Sequence, residues 1–284
     1  MKVLILGITG MLGNAVFREY SRDGSLCVYG TVRSELEKSY FEENVRKGII
    51  PSVNVENHDS LMAAFIHVKP DIVVNCIGLV KQALSAGDPL QAIPINALLP
   101  HRLASLCKLS GARLIHISTD CVYSGKKGNY EENDFPDAND LYGRTKYLGE
   151  VNYPHSITLR TSIIGHELKG NRSLVDWFLS QSNSVKGFQK AIFSGMPAIE
   201  LARIIRDYVI PAPELSGLFH VSVDSINKFD LLSLIATQYK KAIEIIPDDS
   251  IRINRSLDSS KFRLATGFSP KPWAELVGDM NAFR

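Results

Sequence analysis

A short apolar run that leads directly into a glycine-rich loop is the feature of this chain that most constrains its fold. The run Lys2–Leu6 is long enough for a strand buried on both faces, and a helix-compatible segment follows the loop from Met11 to Arg22. The loop glycines are spaced G-x-x-G-x-x-G. Strand, glycine turn and helix in this order predict a Rossmann unit, in which the helix N-terminus faces the phosphates of a dinucleotide.

The three loop glycines have different predicted roles. Gly7 permits the tight turn, Gly10 lets the backbone approach the pyrophosphate, and Gly13 allows the helix to pack closely on the strand. Glycines in an ordinary turn could have the same spacing, so the prediction depends on the strand and the helix on either side. The predicted phosphate contacts come from Gly7, Thr9, Gly10, Met11, Leu12 and Gly13.

Strand patterns and helix patterns alternate along the rest of the chain. Strands are predicted at 26–32, 49–55, 71–78, 113–117, 156–160 and 218–223, and helices at 58–68, 88–110, 173–181, 198–210 and 228–239. Pro94 and Pro100 are expected to bend the first half of the helix at 88–110. The alternation predicts an α/β fold with a Rossmann-type, doubly wound parallel sheet. We predict a dinucleotide-binding domain over 1–160 and a smaller, interleaved C-terminal substrate lobe over 161–284, some of whose elements return to the sheet.

The composition is that of an ordinary globular protein, because hydrophobic residues make up 45% and charged residues 22% of 284 residues. A net charge of +2 gives no reason to expect binding to nucleic acid or to an anionic membrane surface. No apolar run reaches the ~20 residues that a membrane-spanning helix needs, and the apolar start is too short for a signal peptide. We therefore expect a cytoplasmic protein with no nucleic-acid or membrane partner.

The four cysteines are scattered along the chain. None forms a C-x-x-C pair or has a histidine partner at zinc-ligand spacing, so we expect no metal site. Cys27, Cys76 and Cys107 stand among apolar residues, where cysteine commonly acts as a small hydrophobic side chain. This usage is typical of a reducing cytoplasm.

The end of the second predicted strand bears on the choice of dinucleotide. Sites that prefer NAD usually place an acidic residue there to bind the ribose hydroxyl. This chain has Thr31-Val32-Arg33-Ser34 instead. An arginine beside small hydroxyls suits a 2′-phosphate, which favours NADPH, although Arg33 could also be a solvated loop charge.

The fourth predicted strand, 71–78, ends in Gly78, which would pass close to the cofactor. Val80 and Lys81 lie just beyond it. Open α/β sheets bind ligands at the carboxyl ends of their strands. We therefore predict that Val80 and Lys81 contact the substrate.

Tyr142 and Lys146 are spaced to share one face of a helix, one turn apart. The ammonium is expected to lower the phenol pKa towards neutrality, so that the phenol can exchange a proton with a carbonyl oxygen. This spacing alone is weak evidence for a catalytic pair, since it is common by chance. The prediction is strengthened by the glycine loop and by Ser118 and Thr119, which lie at the end of the fifth predicted strand. Together these stretches predict that a nicotinamide cofactor and a ketone or alcohol meet here.

Three motifs carry a resemblance to a known family: the glycine loop, Ser118–Gly125 and Tyr142–Glu150. They resemble the extended short-chain dehydrogenase/reductase superfamily, above all its dTDP-4-dehydrorhamnose reductase branch, where S-T-D-x-V-[FY]-x-G precedes Y-G-x-T-K-x-x-G-E. The resemblance continues weakly at Leu257–Phe268. It implies NADPH-dependent reduction of the 4-keto group of a nucleotide-activated 6-deoxy sugar. Whether the chain forms a homodimer is left open.

The resemblance also implies roles for individual residues. Thr119 binds the substrate carbonyl, Tyr142 donates the proton, and Lys146 holds the nicotinamide ribose while tuning Tyr142. Asn54 stands where relatives often have an aspartate near the adenine. Further implied cofactor contacts are Val55, Asn75, Cys76, Ile77, Gly78, Asn96 and Ser118, and further implied substrate contacts are Asp120, Cys121 and Arg172.

The residues after Thr119 distinguish among other activities of the superfamily. Dehydratases resemble T-D-E at this point, and the glutamate is missing here, so dehydration is disfavoured. Cys121 stands where GDP-fucose synthase relatives have an epimerising cysteine. Their second acid is a histidine, whose place Arg172 takes, although His166 is nearby. Packing is the favoured role for Cys121, and the epimerase alternative stays open.

Two further points remain open from the sequence. The regulatory β subunit of methionine adenosyltransferase resembles this branch, so a non-catalytic NADP-binding subunit is an alternative to an enzyme. Several cations of the second half could bind a substrate diphosphate, and Arg172 is the favoured one. These cations are Arg160, Lys169, Arg172, Lys186 and Lys190.

Overall fold

A parallel sheet forms the centre of the computed structural model, which describes residues 1–79 and 87–284. Within these residues the main sheet has seven strands, and smaller sheets of two or three strands lie outside it. In chain order the strands are β1 (Lys2–Leu6), β2 (Cys27–Thr31), β3 (Ile49–Ile50), β4 (Ile72–Asn75), β5 (Arg113–Thr119), β6 (Ser156–Thr161), β7 (Ile163–Ile164), β8 (Ser184–Phe188), β9 (Ala191–Phe193), β10 (Met196–Pro197), β11 (Gly217–His220), β12 (Ile226–Asn227), β13 (Glu244–Asp248) and β14 (Ile253–Asn254).

The strands of the main sheet follow the order β11-β6-β5-β4-β1-β2-β3, and every neighbouring pair is parallel. The chain runs outward from β1 to β3, then crosses to β4 and runs outward in the other direction. The strand order therefore reverses between β1 and β4, which is where sheets of this kind bind ligands. The predicted Rossmann-type, doubly wound sheet is confirmed.

Helices cover both faces of the main sheet and build much of a smaller lobe. In chain order they are α1 (Met11–Ser21), α2 (His58–Val68), α3 (Pro89–Ala92), α4 (Leu99–Ser110), α5 (Leu141–Leu148), α6 (Leu174–Ser180), α7 (Ala198–Ile204), α8 (Lys228–Gln238), α9 (Ser260–Thr266) and α10 (Trp273–Ala282). A π-helical stretch, Ile93–Leu98, joins α3 to α4, so the predicted long helix forms but widens at Pro94. None of the helices in the described residues is long and apolar enough to cross a membrane.

The third strand is shorter than predicted. β3 has only two residues, where the sequence pattern predicted a strand over 49–55. Pro51 follows directly and has no N–H for a sheet hydrogen bond, and Ser52 has a positive φ of 59°. Regular pairing therefore stops at Ile50, and backbone contact with Val32 resumes only at Val53, whose N–H donates to the Val32 carbonyl oxygen at 3.0 Å, so the predicted extent is wrong.

The two faces of β1 show why its sequence is a continuous apolar run. Val3 and Ile5 pack into an apolar cluster with residues of α1 and α7. Leu4 and Leu6 point the other way, into a second cluster with residues of α2 and α4. Successive side chains of a strand alternate between the faces of a sheet, so burial on both sides requires apolar residues throughout.

The smaller lobe has an apolar core of its own. Val175 of α6, Leu231 of α8 and Val277 of α10 all belong to this core. The lobe is interleaved with the main sheet, because β11 pairs with β6 at the sheet edge and Leu276 of α10 packs into the main core. The division of the chain at residue 160 stays a prediction.

Candidate active site

The glycine loop after β1 forms a cradle that only a chain without side chains at these positions can make. Gly7 has a φ of +82°, and its N–H donates to Thr31 Oγ1 at 3.1 Å. A Cβ on Gly13 would lie 2.2 Å from the Gly7 carbonyl oxygen, so α1 can approach the loop only with glycine there. Gly10 precedes α1 without a side-chain cap from the described residues. The first N–H groups of α1 therefore stay available, and the cradle fits a pyrophosphate.

The loop after β4 is fixed by Asn96, which lies in the π-helical stretch. The Asn96 side chain is 1% exposed; its Oδ1 accepts from Leu79 N–H at 2.8 Å, and its Nδ2 donates to the Leu79 carbonyl oxygen at 3.3 Å. A Cβ on Gly78 would lie 3.4 Å from Asn96 Oδ1 and 3.7 Å from Lys146 Nζ. Asn96 therefore positions the strand end beside Lys146, and its direct contact with a cofactor stays a prediction.

Tyr142 and Lys146 both lie on α5, which Asp140 caps by accepting from Gly143 N–H at 2.8 Å. The Lys146 ammonium donates to the Ile117 carbonyl oxygen at 2.7 Å. Burial lowers the pKa of Lys146 to about 8, against a smaller opposing effect of Glu150. The ammonium is therefore held at the end of β5, still largely protonated at neutral pH.

The pKa of Tyr142 moves opposite to the prediction. Burial raises it, the neighbouring Cys121 and Asp120 act in the same direction, and a hydrogen bond with Thr119 opposes them. The expectation that Lys146 lowers the Tyr142 pKa is wrong for this structure, because desolvation of the phenolate outweighs the other effects. The phenol is consequently protonated at neutral pH.

The turn after β5 carries the predicted carbonyl-binding residue. Thr119 is 7% exposed; its Oγ1 accepts from Cys121 N–H at 3.1 Å and donates to Asp120 Oδ1 at 3.3 Å. Burial and the neighbouring Asp120 raise the pKa of Cys121 to about 12. A thiol with this pKa stays protonated and unreactive, which favours the packing role over an epimerising one.

Ser118 belongs to a buried network that the sequence did not reveal. Its hydroxyl donates to Glu150 Oε1 at 2.7 Å, and Arg160 binds both oxygens of Glu150 at 2.7 and 2.6 Å. Arg160 also donates to the Tyr123 hydroxyl at 2.6 Å. Because this pair is buried, Arg160 is not available for a substrate diphosphate, and its inclusion among the candidate cations was wrong.

The remaining candidate cations of the second half differ in their partners. Lys186 pairs with Asp248 at 2.8 Å, Lys190 with Asp249, and Lys169 lies 4.3 Å from the centre of the Tyr40 ring. Arg172 is exposed; its backbone N–H donates to Glu167, and its guanidinium has no ion pair within the described part of the chain. Arg172 therefore stays the predicted diphosphate contact.

His166, the alternative second acid for epimerisation, is already engaged. Its Nδ1 lies 2.6 Å from Asp176 Oδ1, and its Nε2 lies 2.8 Å from the Tyr239 hydroxyl. Both ring nitrogens are thus occupied by neighbouring side chains. This arrangement disfavours His166 as a free acid.

The other predicted contacts lie at strand ends of the main sheet or beyond the described residues. Arg33 is exposed two residues after the end of β2, and its backbone N–H donates to Glu37 at 2.8 Å. Asn54 and Val55 lie in the turn after β3, where the Asn54 side chain accepts from Glu56 N–H. Val80 and Lys81 lie outside the described residues. Residues 1–79 and 87–284 contain no group of three or more His, Cys, Asp or Glu that could hold a metal ion.

Lys228 and Arg255 are two cations that the sequence analysis missed. Burial lowers the pKa of Lys228 to about 8, and its charge interacts with Asp120 and Cys121. Arg255 donates to the Tyr123 carbonyl oxygen at 2.8 Å and interacts with Asp120. One sequence signal existed: a lysine at the first position of a helix opposes the helix dipole.

The parallel sheet, the glycine cradle and the Thr119, Tyr142 and Lys146 side chains together define an extended short-chain dehydrogenase/reductase. The chain belongs, more narrowly, to the family described as RmlD substrate binding domain, which matches residues 1–282.

Three comparisons illustrate this membership. Methionine adenosyltransferase 2 subunit beta of Rattus norvegicus is 31% identical over 251 residues, which cover 84% of this chain and 72% of that protein. The probable low-salt glycan biosynthesis reductase Agl14 of Haloferax volcanii is 29% identical over 170 residues, which cover 58% of this chain and 54% of that protein. The crystal structure of dTDP-4-dehydrorhamnose reductase from Bacillus anthracis in complex with NADP matches with a TM-score of 0.80 at 22% identity, covering 100% of this chain and 99% of that chain. At this identity the structural match shows a shared fold.

Proposed function

We propose that this protein uses NADPH to reduce the 4-keto group of a nucleotide-activated 6-deoxy sugar. The observation that carries the proposal is the placement of Thr119 at the end of β5 and of Tyr142 on α5, one turn from Lys146, whose Nζ donates to the Ile117 carbonyl oxygen of β5 at 2.7 Å. A ketone oxygen next to these two hydroxyls would meet two donors. The NADP-bound dTDP-4-dehydrorhamnose reductase and the glycan biosynthesis reductase among the relatives support the same reaction class.

Tyr142 is the proton donor in this mechanism. Because its pKa is raised, the phenol keeps its proton at neutral pH, as an acid must before the hydride arrives. Thr119 would stabilise the oxygen as negative charge develops on it. Lys146, largely protonated at neutral pH, would stabilise the tyrosinate that remains and hold the nicotinamide ribose. Bound NADPH supplies the hydride.

NADPH is proposed over NADH because of Arg33. Its guanidinium follows β2, the strand beside β1, and has no ion pair among the described residues. A guanidinium binds phosphate oxygens through two parallel hydrogen bonds, so Arg33 suits a ribose 2′-phosphate. The NADP complex of the Bacillus anthracis relative supports this preference.

The test of the proposed function is NADPH oxidation in the presence of 4-keto-6-deoxy sugars linked to dTDP, UDP or GDP. We expect absorbance of NADPH to fall with at least one of them, with a sugar alcohol as product. Oxidation with none of the three, by protein that binds both NADPH and a nucleotide sugar, would contradict the proposal.

A second candidate function is a non-catalytic NADP-binding regulatory subunit. The 31% identity to the rat methionine adenosyltransferase subunit over 84% of this chain favours it. It predicts tight NADPH binding with no oxidation, and a change in the activity of a methionine adenosyltransferase catalytic subunit on mixing. An epimerase, the third candidate, would place solvent deuterium at a carbon beside the ketone.

Two organisational predictions also stand as proposals: the domain division 1–160 and 161–284, and a cytoplasmic location. Whether the protein forms a homodimer stays open, and light scattering after size-exclusion chromatography would measure its mass.

A further inference from the structure

The Lys228 ammonium has no hydrogen-bond acceptor in residues 1–79 and 87–284. Its side chain is half-buried, and Nζ lies 4.1 Å from the centre of the Phe193 ring. An ammonium has three donors, and here water or a ligand must satisfy them, because Nζ is not among the buried nitrogen atoms of the described residues that lack a partner. Lys146, in contrast, is the buried lysine that already donates to a carbonyl oxygen, that of Ile117. Lys228 therefore presents donors that the described protein does not use.

The position of Lys228 at the start of a helix does not favour a lysine. It is the first residue of α8, where a positive charge opposes the helix dipole. The helix is capped without it, because Asn227 accepts from Asp230 N–H at 2.8 Å. The contact with the Phe193 ring attracts the charge but uses none of its N–H donors, and a residue that breaks a local rule commonly marks a functional site.

The surroundings of Lys228 connect it to the ketone-binding turn. Lys228 directly follows β12, which pairs with β9, and β9 also pairs with β14. Arg255, the residue after β14, donates to the Tyr123 carbonyl oxygen at 2.8 Å, at the end of the turn that follows Thr119, and the Lys228 charge interacts with that of Asp120. The Asp120 carboxylate is buried and interacts with both Lys228 and Arg255. A donor and a carboxylate acceptor thus lie near the same turn. That combination suits a neutral ligand with several hydroxyls, whereas a diphosphate would be repelled by the carboxylate.

We propose that Lys228 contacts the substrate, donating a hydrogen bond to a hydroxyl or carbonyl oxygen on the sugar ring beside the carbon that is reduced. This inference rests on the proposed function, since it takes Thr119 as the ketone-binding residue. Asp120 would accept a hydrogen bond from a neighbouring hydroxyl of the same ring. Lys228 is thereby a specificity residue contributed by the smaller lobe.

The test compares Lys228→Met with Lys261→Met. Methionine keeps an unbranched side chain against Phe193 and removes the ammonium. Lys261 is the matched control, because it also lies over an aromatic ring, 4.4 Å from the centre of Phe219, but donates to the Leu218 carbonyl oxygen at 2.7 Å. Binding of dTDP-, UDP- and GDP-linked 4-keto-6-deoxyhexoses and of free dTDP, UDP and GDP would be measured by calorimetry. Melting temperatures of the unliganded variants and a Lys228→Arg variant check folding.

We expect Lys228→Met to weaken nucleotide-sugar binding and to lower kcat/KM by about 10- to 100-fold, the size of one lost hydrogen bond from a charged donor. Binding of free nucleoside diphosphates and of NADPH should change less than about twofold, and Lys261→Met should match the wild type. Lys228→Arg should recover part of the loss. Equal weakening of nucleotide sugars and free diphosphates, or no change in either, would overturn the proposal.

The two proposals fail in different ways. If the wild type binds a nucleotide sugar without oxidising NADPH, reduction is wrong, and a sugar-dependent loss in Lys228→Met still supports the contact. If the wild type reduces the sugar and Lys228→Met does so equally well, only the contact is wrong. If the wild type binds no nucleotide sugar, both are overturned.

Discussion

The proposed cofactor side of the site is shaped by backbone, whereas the proposed substrate side is shaped by buried charges. On the cofactor side, Gly7 turns with a positive φ and Gly13 lets α1 approach the Gly7 carbonyl oxygen. On the substrate side, Asp120 and Lys146 are both buried ionisable groups with shifted pKa values. An added side-chain atom would clash with the backbone of the glycine loop, whereas the loss of a partner would leave a buried charge uncompensated. The comparison predicts that substitutions will fail for different reasons on the two sides.

The largest expected effect is that of Tyr142→Phe, on the substrate side. The variant keeps the ring but removes the acid, so turnover should fall by about 10²–10⁴-fold. NADPH affinity should change little, because Lys146, the proposed ribose contact, is unchanged. Tyr147→Phe, on the same helix but 41% exposed, is the control and should keep full turnover. Near-normal turnover of Tyr142→Phe on the true substrate would show that another residue carries the proton.

Breaking the buried pair of Glu150 and Arg160 should destabilise the whole protein. The side chains are 9% and 2% exposed, so Glu150→Gln leaves the guanidinium buried without its counter-charge. We expect the free energy of unfolding in urea to fall by about 3–5 kcal/mol. Asp248→Asn is the control, because its partner Lys186 is 69% exposed, and it should leave the free energy of unfolding nearly unchanged. Equal losses of unfolding free energy in the two variants would contradict the distinction between a buried and an exposed ion pair.

Gly13→Ala tests the cofactor side, again through the free energy of unfolding. The added Cβ would lie 2.2 Å from the Gly7 carbonyl oxygen, so α1 must move away from the loop. We expect a loss of about 1–3 kcal/mol in the free energy of unfolding, together with weaker NADPH binding. Gly24→Ala meets nothing within 4 Å and should leave both unchanged. Unchanged NADPH affinity in Gly13→Ala would contradict the cradle as the phosphate site.

The smallest expected effect is that of Arg33→Ala, at the edge of the cofactor side. Loss of one exposed charged contact should weaken NADPH binding by about tenfold and leave NADH binding unchanged. Dissociation constants of both dinucleotides, measured by fluorescence, would check this. Equal affinities of the wild type for NADPH and NADH would already contradict the preference.

The features that the sequence predicted well are local ones. The strand Lys2–Leu6, the glycine loop and α1 follow one another along the chain, so the spacing of the glycines was enough to predict the turn between strand and helix. The alternation of strands and helices likewise predicted the doubly wound sheet. The extent of β3 was wrong because the positive φ of Ser52 ends the ladder directly after Pro51.

The features that the sequence did not predict depend on burial and on distant partners. Lys146 one turn away suggested a lowered Tyr142 pKa, but burial and the neighbouring Cys121 raise it. Arg160 looked like a free cation until β6 and the end of α5 brought it against Glu150. Neither effect can be read from residue spacing, because both arise only when separate elements pack together.

Transfer of deuterium from NADPH to the sugar tests the central claim most directly. Protein incubated with NADPH deuterated at nicotinamide C4, on the transferred face, and a 4-keto nucleotide sugar should give a product with one deuterium at sugar C4. Mass spectrometry and NMR of the product would locate it. A product without deuterium at C4, or with solvent hydrogen exchanged only at C3 or C5, would contradict the proposed reduction.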